Sequence, residues 1–130
     1  MYLNKLGLMQ GRLSPCGKNK IQFFPTKNWE KEFKKAKDIG IKYIEWTLDY
    51  KNLYLNPIFT KSGINKINYL KKKNKIKVLS LTGDCFMQKP FWKKKGKKKD
   101  ELINIFKLIL QNSSSIGVKK IILPLVDNGS

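Results

Sequence analysis

Ile39-Gly40-Ile41-Lys42-Tyr43-Ile44 and Ile116-Gly117-Val118-Lys119-Lys120-Ile121 are two copies of one pattern. In each, a glycine closes an amphipathic stretch and a short apolar run follows. A glycine in that position reads as the C′ residue of a helix, where a left-handed backbone is needed. The apolar run reads as the start of a strand. Asn74-Lys75-Ile76-Lys77-Val78 is a weaker copy between them. The copies recur at roughly 35–40 residues, the size of a βα unit. Three junctions from helix to strand give the order β-α-β-α-β-α-β. Strands joined by helical crossovers pair in parallel, so the chain is an α/β protein.

Working outward from the junctions, the first strand is expected at Lys5 to Met9, followed by a loop marked by Gly11, Ser14, Pro15 and Gly17. A helix begins near Asn28, with Trp29, Phe33 and Ala36 on one face. Asn28 is its expected N-cap, and Glu30 and Glu32 suit the positive end of its dipole. The second strand is expected at Lys42 to Leu48. A loop with Asn56-Pro57 leads to a helix over Ser62 to Lys73, with Ile64, Ile67 and Leu70 inward. The third strand is expected at Ile76 to Thr82. The run Lys93 to Lys99 then reads as a mobile, solvated loop. Asp100 is the expected cap of a third helix with Leu102, Ile105, Phe106 and Ile109 as its stripe. The fourth strand is expected at Val118 to Val126. A doubly wound sheet would show the same alternation, but the first βα turn lacks a dinucleotide-binding glycine pattern.

The chain has 130 residues, enough for one domain, and a formal charge of +19. Such a charge suits polyanions. Of the 28 basic residues, however, all but Arg12 are lysine, and Ala36 is the sole alanine. Lysine, asparagine and isoleucine have AT-rich codons, so an AT-biased genome produces this drift without selection for anions. Cys16 and Cys85 are far apart, without metal-type spacing, and read as free thiols. The absence of histidine excludes an imidazole ligand or base. Met1 to Gln10 is too short and polar for a signal peptide, and the apolar run Ile121 to Val126 is far shorter than a membrane span. A cytoplasmic location is expected.

In parallel α/β folds, ligands meet the C-terminal ends of strands. That rule selects Gln10 and Arg12 after the first strand, Glu45 and Asp49 on the second, Asp84 after the third and Asp127 after the fourth. Arg12 offers a planar fork for a phosphate or carboxylate; the alternative is a structural ion pair, for instance with Glu45. By alternation with Ile44, Glu45 points away from the helices, where it binds ligand hydroxyls or pairs with a cation. Asp84 and Asp127 read either as pocket walls or as residues that begin turns. Trp46 and Phe86 read as packing residues.

Several of these stretches resemble one family. Gly7-Leu8-Met9-Gln10-Gly11-Arg12-Leu13-Ser14-Pro15 resembles the opening of the sugar phosphate isomerase/epimerase proteins of the xylose isomerase-like TIM-barrel superfamily. Ile21-Gln22-Phe23-Phe24-Pro25 with Trp29-Glu30 continues the likeness, as do Tyr43-Ile44-Glu45-Trp46, Asn56-Pro57 and Gly83-Asp84-Cys85-Phe86-Met87 with Pro90. Ile121 to Asn128 resembles the family's fourth strand. The resemblance implies the N-terminal half of a (β/α)₈ barrel, with four parallel strands in the order 1-2-3-4, in a chain about half the usual barrel length of roughly 250 residues. It implies an isomerase or epimerase of carbohydrate metabolism acting on a small sugar or sugar phosphate. In that superfamily the metal ligands and catalytic glutamates come mainly from later strands. The expectation here is therefore a half inactive alone, with no catalytic residue, metal ligand or cofactor; a divalent metal belongs to full-length relatives. Gln10, Arg12, Glu45, Asp84 and Asp127 are its expected pocket-wall residues. The expected macromolecular partner is a C-terminal half-barrel or a second copy, with no membrane contact; nucleic acid is a partner only in the alternative reading. The alternative is a basic nucleic-acid-binding protein related to the endonuclease branch of the same superfamily.

Overall fold

A computed structural model describes residues 5–17 and 22–130; Ile21, part of the resemblance above, lies outside the described residues. Four short strands, β1 (Gly7–Met9), β2 (Tyr43–Thr47), β3 (Ser80–Thr82) and β4 (Lys120–Ile122), form one parallel sheet in the order 1-2-3-4. Leu8 pairs with Ile44, Trp46 with Leu81, and Leu81 with Ile121. Between the strands run α1 (Trp29–Asp38), α2 (Lys61–Asn74), the short α3 (Asp84–Gln88) and α4 (Gly96–Ser115).

The strands are shorter than their apolar runs because each extends only as far as its neighbour. Gly83 N–H donates to the Ile122 carbonyl at 3.0 Å, and β3 then turns directly into α3. Beyond Ile122, β4 therefore has no strand to pair with, although its sequence stays apolar. The early part of the expected third strand touches β2 at one bridge, Tyr43 to Lys77.

Two helix expectations are corrected. The third crossover helix starts at Gly96, not Asp100, so Lys97, Lys98 and Lys99 lie in its first turn rather than in a mobile loop. Lysine is a good helix former, and Ile105, Phe106 and Ile109, packed on the core, hold the rest of the helix in place. Asn28 occupies the N-cap of α1 without a side-chain capping bond. The helix ends match the repeat: Gly40 and Gly117 have φ of +80° and +94°. The weaker copy puts Lys75 in the same left-handed region, at φ +57°.

One sheet face carries the helices. Ile44, Trp46 and Leu81 point into it and are buried with Phe33, Ala36, Ile67 and Ile109. Trp46 is the hub: its ring centroid lies 5.7 Å from Phe24, 5.9 Å from Trp29 and 6.5 Å from Phe33. Its indole N–H donates to Asn56 Oδ1 at 3.0 Å, so its polar atom is satisfied inside the core. Alternation places Tyr43, Glu45 and Thr47 of β2, with Ser80 and Thr82 of β3, on the opposite face.

Candidate functional site

The loop after β1 is anchored from α1. Glu32 is buried, and its carboxylate accepts from Gly11 N at 3.0 Å, Leu13 N at 3.2 Å and Ser14 Oγ at 2.8 Å. It serves this loop, not merely the dipole of its own helix. Gly11, at φ +90°, lets the chain turn where a Cβ would press on the Phe23 carbonyl. The anchored loop holds Gln10 between the ends of β1 and β2. Gln10 N donates to the Glu45 carbonyl at 3.0 Å, and its Oε1 accepts from Thr47 N at 3.0 Å. Gln10 Nε2 and Thr47 Oγ1 are buried without a hydrogen-bond partner. Such groups are costly unless a ligand or water meets them.

Glu45 lies on the face away from the helices, as its alternation with Ile44 predicts. Ser80 Oγ and Thr82 Oγ1 each donate to its carboxylate at 2.6 Å. Over this face lies a hollow of about 250 Å³ lined by Met9, Tyr43, Glu45 and Ser80, among others. At the strand ends, Gln22 Nε2 donates to Asp84 Oδ2. Asp49 accepts from Phe24 N at 2.7 Å. A second hollow of about 400 Å³ is lined by Gln22, Asp49, Lys51 and Gln88, among others.

Burial pushes the Asp84 carboxyl above its ordinary value of 3.8, the negative charge of Asp49 adds to the rise, the Gln22 bond opposes it, and Glu45 raises it further. Burial, reinforced by Asp84, pushes the neighbouring Cys85 thiol up to about 12. Cys85 is thus an inert core thiol, not a nucleophile.

Of the residues chosen from sequence, Gln10, Glu45 and Asp84 come together at the ends of β1, β2 and β3, with Asp49 beside them. Arg12 is exposed on the anchored loop, its backbone N–H donating to the Met9 carbonyl at 3.3 Å. Asp127 is exposed in a 3-10 turn at φ +51°, where its carbonyl accepts from Ser130; this is the turn role. Sequence reasoning missed Glu32 as an anchor, and Ser80 and Thr82 as partners of Glu45. The latter pair had a legible signal: two hydroxyls flanking an apolar Leu81 share one strand face. Among the described residues, no group of three or more His, Cys, Asp or Glu is arranged to hold a metal ion. No helix among them is long and apolar enough to cross a membrane.

The cluster supplies carboxylate acceptors, amide donors and hydroxyls within one partly desolvated rim, the chemistry that binds polyhydroxylated ligands. No protein-family model and no curated protein matches this chain.

Proposed function

We propose that this chain forms the first four strands, with the three helices between them, of a (β/α)₈ barrel like those of the sugar phosphate isomerases and epimerases, and that its C-terminal rim forms one wall of a sugar or sugar phosphate pocket. The observation that carries this reading is Glu45. A carboxylate held between two hydroxyls, on the sheet face away from the helices, sits where a barrel would enclose its ligand. The strand order of consecutive neighbours supports the same reading, because a doubly wound sheet reverses its order at a switch point. Gln10 and Thr47 offer unused hydrogen-bonding capacity beside it. Asp84 adds a carboxyl that holds its proton to higher pH than usual. In this reading these residues contribute binding contacts, while the metal ligands and proton-shuttling glutamates of such enzymes come mainly from later strands.

The test is an NMR titration of the chain with fructose 6-phosphate. Amide shifts are expected at Gln10, Thr47, Thr82 and Asp84, and Glu45→Gln should weaken binding about tenfold, as loss of a charged hydrogen-bond acceptor does. Shifts confined to lysines, or reproduced by inorganic phosphate alone, would overturn the sugar reading.

A further inference from the structure

The N-terminal end of the sheet carries a different chemistry. Parallel strands with helical crossovers bring every helix end and every strand start to one side of the molecule. Lys37 lies in the last turn of α1, Lys75 is the C-cap of α2, and Lys42, Lys77, Lys119 and Lys120 sit at or just before strand starts. All six are exposed. Lys77 N donates to the Lys42 carbonyl at 2.8 Å, and Lys119 N to the Leu79 carbonyl at 2.9 Å, so the row crosses adjacent strands. Lys37, Lys42 and Lys75 also line one hollow of about 140 Å³ together with Gly40, Ile41 and Asn74.

Codon drift explains many lysines, but it does not explain where the acids are. The chain has nine carboxylates. One of them, Asp38, lies at this end, and it is bonded to Lys34 at 2.6 Å. The others sit on the strands, on the loops after them, or in the first two turns of helices. The row is therefore a field of one sign, with no carboxylate within ion-pair distance of these six lysines among the described residues.

We propose that this end is a docking surface for the phosphate backbone of nucleic acid, bound without sequence preference. Neighbouring strands lie about 4.8 Å apart, so Lys42, Lys77 and Lys119 span about 10 Å. A nucleic-acid backbone presents charge at comparable density. Lysine is a point charge rather than a fork for base edges, so the surface positions a backbone and reads no sequence. An anionic membrane is the less suited partner. The exposed apolar chains here, Leu6, Ile39 and Leu79, come from three separate segments interleaved with lysines and are not the continuous apolar face of an amphipathic helix that an interfacial anchor inserts.

The experiment is fluorescence anisotropy with a labelled oligouridylate, from about 50 to about 200 mM KCl. The triple variant K42Q/K77Q/K119Q should weaken binding at least about tenfold and lower the salt slope by about two, the share of three single-strand phosphate contacts. The charge-matched control K97Q/K98Q/K99Q should change affinity less than about twofold, because those lysines lie at the other end. Melting curves confirm that each variant folds, and K37Q/K75Q replaces the first triple if it does not. Equal losses in both triples, no binding at the lowest salt, or binding to phosphatidylserine vesicles that the RNA does not compete away would each overturn the proposal.

Discussion

Where the strands end, Gln10, Gln22, Glu45, Thr82 and Asp84 bond to one another or to nearby backbone, mostly out of water. Where the strands begin, lysines stand in solvent and the chain closes its helices with its own backbone. At that lower end Ile41 N returns to the Ala36 carbonyl at 2.9 Å, and Ile76 N to the Lys71 carbonyl at 3.0 Å. Lys71 Nζ and Asn68 Nδ2 reach across from α2 to the last carbonyls of α4. The contrast shows two ways of satisfying polar groups. The lower end does it locally or with a flexible side chain, so each piece can be changed separately. The rim does it through buried partners far apart in sequence, so removing one partner strands several others.

The sharpest way to break this contrast is Glu32→Ala. It would leave two backbone N–H groups and a hydroxyl without their acceptor in a buried loop. A loss of about 3–5 kcal/mol is expected, the usual cost of breaking a buried charged network. Urea unfolding measures it; a loss under about 1 kcal/mol would show that the loop repairs itself with water.

The lower end should give smaller, separable effects. Gly40→Ala should cost about 1 kcal/mol, for the left-handed backbone alone, because a Cβ there meets open space. Lys75→Gly should gain about 0.5 kcal/mol, the left-handed strain of lysine being partly offset by a freer unfolded chain. Gly40 and Lys75 line the same hollow but share no hydrogen bond, so the double variant should be additive within about 0.5 kcal/mol. Coupling between them would mean that this end is less modular than its hydrogen bonds suggest.

The smallest effect depends on pH. The Asp84 carboxyl takes up its proton more readily in the folded chain than at its ordinary value of 3.8. Its contribution favours folding below pH 3.8 and is lost as pH rises through the folded value. Asp84→Asn should therefore match the parent below that pH and melt higher than the parent at neutral pH. Thermal melts across the pH range measure this. A variant that melts lower at neutral pH would mean that the Gln22 bond outweighs the burial of the charge.

The repeated junctions make the parallel alternation legible, because helix ends and strand starts are set by local glycine and apolar patterning; the order 1-2-3-4 rests on the family resemblance. Strand lengths were not legible: Ile121 to Val126 is apolar throughout, but pairing depends on how far β3 continues beside it. The run Lys93 to Lys99 reads as a loop because it is charged and interrupted by Gly96, yet Gly96 is the first residue of α4. Glu45 was legible from alternation. Glu32 was not, because a glutamate in a first turn satisfies a simple dipole rule, and its real partners lie 18 to 21 residues away. Asn56 was legible as a turn residue before proline, but not as the acceptor for Trp46.

The order of consecutive neighbours has a consequence for synthesis. Each strand pairs with the strand made just before it, about 35 to 40 residues earlier, so no strand waits for a distant later segment. As the chain leaves the ribosome, β2 can dock on β1, then β3 on β2, then β4 on β3, each covered by the helix already formed between them. At every step the newest strand leaves one bare edge, opposite the outer edge of β1, and the next strand adds there. That site passes from β2 to β3 and then to β4, where Ile122 and, just beyond the strand, Leu125 and Val126 are exposed.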